Sequence, residues 1–233
     1  KFSGMVAKYR QLDMAKTPTG KIRLDFQGPA SLRPASVIVG EENVYTGAYF
    51  DLTSNPKGVV VPAGVYRLTG GLVLQGSGEK SRSVSIGTGT AKLLEVQPGE
   101  EVTLRMGAPF SFDFKPETSA GILKVPGMSV KVLGAGGEVY LDPWEAVPTP
   151  EVYARKGGKG NGKKVGAMAQ VKNYDELLAC LNDKRQEVED YSYEDALLAP
   201  LDFRVKRPFD ESFEVRLQLS GHQYFGRIVS EWK

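Results

Sequence analysis

The chain has 233 residues, with hydrophobic and charged fractions of 41% and 25%, and a net charge of +2. That length suggests two β modules of about 100 residues each, either able to bury a core without metal or disulfide staples. The balanced charge, with Lys and Arg dispersed along the sequence, argues against a nucleic-acid partner, and the single cysteine, Cys180, excludes an intramolecular disulfide and a Cys-rich metal site.

Residues 1–19 are polar and mixed and read as an entry segment. Strand signals begin at Lys21, where Ile22, Leu24 and Phe26 alternate with Arg23 and Asp25. Further strands are expected at 37–39, 44–52 and 59–61. A long one at 65–75 is expected to bend at Gly70-Gly71, and others follow at 83–86, 91–96 and 102–106. Proline–glycine corners punctuate the series: Val61-Pro62-Ala63-Gly64, Gln97-Pro98-Gly99 and Val125-Pro126-Gly127 each lead toward alternating apolar residues. Phe110, Phe112 and Phe114 share one face of a strand, and three phenylalanines on one side need a buried home.

Residues 115–121 read as the linker between two domains. Strands resume at 122–125, 129–133 and 138–141, with Gly134-Ala135-Gly136-Gly137 as a flexible break. Later strands are expected at 147–155, 165–171, 203–205, 213–219 and 224–232. In the fourth of these, Val215, Leu217 and Leu219 lie opposite Glu214, Arg216 and Gln218. Between them, Asn173 and Glu176 form a capping box ahead of Tyr174, Leu177, Leu178 and Leu181, the stripe of an amphipathic helix. Helix and following acidic loop make an insertion at about 173–200, longer than most sandwich connections.

The motifs that can carry chemistry are few. His222, the one histidine, follows Ser220-Gly221 and reads as a solvated turn residue. With no second histidine and no G-x-S-x-G elbow, neither a metal site nor a serine triad is expected, and no cofactor. The run Gly157-Gly158-Lys159-Gly160-Asn161-Gly162-Lys163-Lys164 comes within one residue of a phosphate-binding loop. It leads into a strand pattern rather than a helix, so it reads as a hairpin tip. Glu187, Glu189, Asp190, Glu194 and Asp195 form an acidic patch that suits calcium or a carboxylate pair but lacks EF-hand spacing. Tyr140, Trp144 and Tyr153, with Trp232 near the end of the chain, can form a sugar-stacking surface. No run approaches the roughly 18 apolar residues of a membrane helix, so no transmembrane segment is expected. The chain starts at Lys1 rather than Met, which suggests removal of a signal peptide and an extracytoplasmic location.

The stretch Val61-Pro62-Ala63-Gly64-Val65-Tyr66-Arg67-Leu68 resembles the P-x-G-x-Y-x-L corner of bacterial surface modules of the carboxypeptidase-regulatory-like and PEGA types. Gly134-Ala135-Gly136-Gly137-Glu138-Val139-Tyr140, with the Pro-Gly corner before it, looks like part of an Ig-like module. The resemblance implies a noncatalytic, extracytoplasmic module and carries over no catalytic residue. The expected fold is therefore mainly β: an antiparallel sandwich over 1–114 and a second, Ig-like one over 115–233 with the helical insertion. The expected function is binding or structural, in an exported bacterial protein that recognises a polysaccharide or a protein through Tyr140, Trp144 and Trp232. The rival readings are a hydrolase built on the acidic loop 187–195 and a subunit of a surface assembly joined by strand addition.

Overall fold

The computed structural model describes residues 13, 15–42, 47–78, 81–141, 149–170, 200–209 and 211–233. The expected helix at 173–181 and the acidic loop 187–195 lie outside the described residues, as do Trp144 and Cys180. What is described is mainly β. The strands of the first half are β1 (Thr19–Gln27), β2 (Leu32–Glu41), β3 (Tyr49–Asp51), β4 (Val59–Pro62), β5 (Gly64–Gln75), β6 (Arg82–Gly87), β7 (Leu94–Val96), β8 (Glu101–Gly107) and β9 (Ser111–Asp113). They are followed by β10 (Glu117–Ser119), β11 (Ile122–Val125), β12 (Lys131–Leu133), β13 (Val139–Leu141), β14 (Glu151–Lys156), β15 (Lys163–Ala167), β16 (Phe203–Lys206), β17 (Phe213–His222) and β18 (Gly226–Val229).

These strands form four sheets. A three-stranded sheet runs β4-β1-β8, with β1 and β8 parallel from Lys21↔Glu101 to Gln27↔Gly107. An eight-stranded antiparallel sheet runs β3-β2-β5-β6-β13-β12-β9, with β7 added on β5. Two smaller antiparallel sheets, β10-β11-β16 and β15-β14-β17-β18, complete the set. Period-two alternation turns one side of each principal strand inward, so Ile22, Val37, Val39, Tyr66, Leu68, Leu123, Val152, Leu217 and Ile228 join a single buried apolar cluster drawn from all four sheets. Phe110, Phe112 and Phe114 are all buried in it, as their spacing requires. The long strand β5 carries a register shift beside Gly70, where the expected bend falls.

The corners differ in mechanism. At Val61–Tyr66 the Tyr66 hydroxyl donates back to the Pro62 carbonyl at 2.8 Å. Its ring is fully buried, and burial, with the Glu41 charge adding, pushes that hydroxyl up to about 12. Pro98-Gly99 is a turn closed by Glu100 N–H donating to Gln97 C=O at 3.1 Å, with Gly99 in left-handed backbone at φ 77°. At Pro126-Gly127 the glycine serves close approach instead, because a Cβ there would lie 1.6 Å from the Pro200 carbonyl oxygen.

Two features of residues 111–141 stand out from the sequence pattern. The pairing does not break at 114/115: β12 pairs with β9 through Val132↔Phe112, and β13 pairs with β6 through Tyr140↔Ile86. Residues 131–141 therefore return to the large sheet, and the expected linker supplies the exposed strand β10. The break expected at Gly134–Gly137 is a tight loop around a buried acid. Glu138 has no exposed surface, and its carboxylate accepts from Gly107 N–H at 2.6 Å, Tyr140 O–H at 2.8 Å and Gly136 N–H at 3.0 Å. A Cβ at residue 134 would stand 1.9 Å from Glu138 Oε1, so only glycine lets the loop close on the acid.

Burial pushes the Glu138 carboxyl above the ordinary 4.5, against the pull of its hydrogen bonds. The fold therefore favours the protonated form. The stability that preference confers is complete below about 4.5 and is lost as pH rises through the raised folded value. Denaturant titration from pH 4 to 8 is expected to show wild type losing stability with rising pH relative to Glu138→Gln. Glu138→Ala, which strands three donors, is expected to cost about 3 kcal/mol or more. In the same assay Tyr66→Phe is expected to cost about 1 kcal/mol, the worth of one hydrogen bond.

Candidate functional site

The sheet β15-β14-β17-β18 has two unlike faces. Val152, Ala154, Val215, Leu217, Leu219 and Ile228 point into the core. The alternate residues Glu151, Tyr153, Arg155, Glu214, Arg216 and Gln218 are half-buried on the other face. The register sets Tyr153 opposite Arg216 and Arg155 opposite Glu214. On the other side of β14, Lys164 stands opposite Tyr153. Past β18 the chain continues against β17: Ser230 N–H donates to Leu217 C=O at 3.0 Å, and Val215 and Lys233 exchange both backbone hydrogen bonds at 2.7 and 2.9 Å. Those bonds place half-buried Trp232 beside the two arginines.

Arg155 and Arg216 hold their guanidinium carbons 4.4 and 4.5 Å from the Trp232 ring centroid, and Arg216 also lies 5.7 Å from that of Tyr153. Arg155 Nε donates to Glu214 at 2.6 Å. Tyr153 O–H donates to Glu151 at 2.8 Å, and Lys164 pairs with the other oxygen of that carboxylate. The Lys164 hydrogen bond, then that of Tyr153, holds Glu151 below its ordinary range, while Glu151 raises both partners. Among the described residues Arg216 has no carboxylate partner; its Nη2 reaches only Gln218 Oε1, at 3.4 Å.

Of the aromatics read as a sugar surface, Tyr153 and Trp232 meet on this face through Arg216. Tyr140 does not belong with them. It is 1% exposed, its hydroxyl is committed to Glu138, and its ring packs against Phe110 at 5.4 Å and Phe225 at 4.8 Å. It offers no face to a ligand, because strand parity puts it inward with Glu138. Trp144 lies outside the described residues.

His222 is also not the solvated turn residue expected. It is 3% exposed and stacks on Phe225 at 4.7 Å, and its Nδ1 accepts from Tyr224 N–H at 3.1 Å and Phe225 N–H at 3.4 Å. Accepting there leaves Nδ1 unprotonated and makes the ring an organiser of the β17–β18 turn. That turn docks on the large sheet: Phe225 meets Phe110 at 4.6 Å, and the Gln75 amide and Arg82 both reach Gln223. The lysine–glycine run forms the tip between β14 and β15, with Gly157, Gly158, Gly160 and Gly162 in left-handed backbone. A strand, β15, follows it where a phosphate-binding loop requires a helix.

Three surface grooves, of about 210, 460 and 310 Å³, are lined respectively by residues that include Glu117, Glu95 and no carboxylate. None of the three brings two acids together. Among the described residues no group of three or more His, Cys, Asp or Glu is placed to hold a metal, and no helix is long and apolar enough to cross a membrane. No protein-family model matches the chain, and no curated protein matches it.

Sequence reasoning missed Arg155 and Arg216. Their signal was present in strand parity, since each shares a face with Tyr153 or its cross-strand partner. Lys164→Ala is expected to move the Glu151 carboxyl upward toward its ordinary 4.5, read by NMR titration of the side-chain carboxyl resonance, with the tyrosine hydrogen bond retained.

Proposed function

We propose that the chain is a noncatalytic binding module of an exported bacterial protein, and that its ligand is a polysaccharide held on the outer face of the β15-β14-β17-β18 sheet. The observation that carries this reading is the continuous half-exposed surface of Arg155, Trp232, Arg216 and Tyr153. With two guanidinium groups over the Trp232 ring, this platform meets a sugar through guanidinium donors, the indole edge and the Tyr153 ring. Glu214, Gln218 and Glu151 border it with acceptors for hydroxyl groups.

The sandwich reading of residues 1–114 is supported by the Tyr66–Pro62 hydrogen bond, since a tyrosine hydroxyl tied to backbone a few residues upstream is a device of Ig-type sandwiches. The resemblance of the Val61–Leu68 corner to bacterial surface modules supports an extracytoplasmic location.

Trp232→Ala and Tyr153→Ala are each expected to weaken retention on a glycan array by roughly tenfold, about 1.4 kcal/mol, with an unchanged far-UV circular dichroism spectrum. Retention by both variants equal to wild type would remove the platform from the reading.

A further inference from the structure

We infer that the polysaccharide is an acidic one, bearing carboxylates that settle on the cations of the β14–β15 hairpin and of Arg216; this rests on the binding-module reading and narrows its ligand. The whole chain carries +2, but between 151 and 167 stand Arg155, Lys156, Lys159, Lys163 and Lys164 against Glu151 alone. Three of these five are committed to acids: Arg155 to Glu214, Lys156 to Glu211 and Lys164 to Glu151. Lys159 and Lys163 are exposed and have no carboxylate partner among the described residues, and neither has Arg216.

Two of the uncompensated cations, Arg216 and Lys163, are held over aromatic rings rather than neutralised. Arg216 lies over Trp232 and Tyr153, and the Lys163 ammonium lies 4.9 Å from the Phe209 ring centroid. A cation–π contact fixes the position of a charge and leaves it positive. The four left-handed glycines of the tip set Lys159 on the exposed turn between the strands, with Lys163 at the start of β15. On the face itself, Lys164, Tyr153 and Arg216 form a row across three strands, spaced by about 4.8 Å per strand. From Arg216 on the face, and from Lys159 and Lys163 at the hairpin tip, where Lys163 stands opposite inward-facing Ala154 and so across the sheet from the platform, a neutral glycan gains hydrogen bonds alone. A polyuronate gains from each, and the planar Arg216 fork suits its carboxylates.

Affinity electrophoresis against polygalacturonate, neutral dextran and duplex DNA tests this. Wild type is expected to be retarded by polygalacturonate more than by dextran or DNA. That retardation should weaken by about tenfold or more between about 50 mM and about 200 mM salt. Lys159→Gln/Lys163→Gln, confined to exposed positions, and Arg216→Gln are each expected to lower it several-fold, with melting temperatures showing that the variants fold. Equal, salt-insensitive retardation by dextran would overturn the acidic ligand and leave the binding-module reading standing. DNA bound as tightly as polygalacturonate at the same salt would also overturn it, by showing a surface for polyanions in general. No retardation in any gel would overturn both.

Discussion

A buried acid, Glu138, ties the loop before β13 of the large sheet to the end of β8 in the three-stranded sheet. Glu138 comes from the start of β13, and its donors come from the end of β8, from its own loop and from the adjacent inward position of β13. An acid withdrawn from water must find hydrogen-bond partners or exact several kcal/mol. Here three convergent donors meet that need. Because Tyr140 O–H is one donor, the acid also fixes the ring on which Phe225 packs. The position of the β17–β18 turn thus follows from it at one remove.

The outer face of the small sheet inherits that order. Its inward residues belong to the common core, and its last strand pairing runs to Lys233, whose side chain reaches back to Asp113 and the Phe114 carbonyl. Trp232 therefore sits on a segment past β18 that is tied to β17 on either side of it, at Ser230 and Lys233. Guanidinium groups over its ring restrict it further. A surface so constrained loses little side-chain freedom when it meets a ligand, which is the advantage of a platform made on strands rather than on a loop.

Local signals were legible in the sequence, and long-range ones were not. Period two located most strands, including the inward triad of Val215, Leu217 and Leu219 and the buried phenylalanines at 110, 112 and 114. The pairing of β12 with β9 and of β13 with β6 was not legible, because it is decided by register between distant segments, which no local pattern records. Glu138 was overlooked because glycine-rich sequence reads as flexibility. Its parity with Tyr140 was the available clue, since a charge in phase with a buried aromatic must itself be buried. His222 followed a turn signal correctly read, but the turn is sealed under aromatic rings. Tyr140 entered the sugar surface by composition alone, whereas Tyr153 and Trp232 are joined by arginines that only cross-strand register brings near.

The cradle around Glu138 also constrains descent. Gly107 and Gly136 give backbone donors from positions where a Cβ would lie 1.8 and 2.1 Å from the carbonyl oxygens of Gln27 and Arg105, Gly134 gives room, and Tyr140 gives the third donor. A mutation at any one leaves the others in an unfavourable state, so the five positions are expected to persist together or to be replaced together. The spaced pattern of Gly107 followed by Gly134-x-Gly136-x-Glu138-x-Tyr140 is then a signature by which distant kin can be recognised after the exposed strands and the lysine-rich tip have diverged beyond comparison.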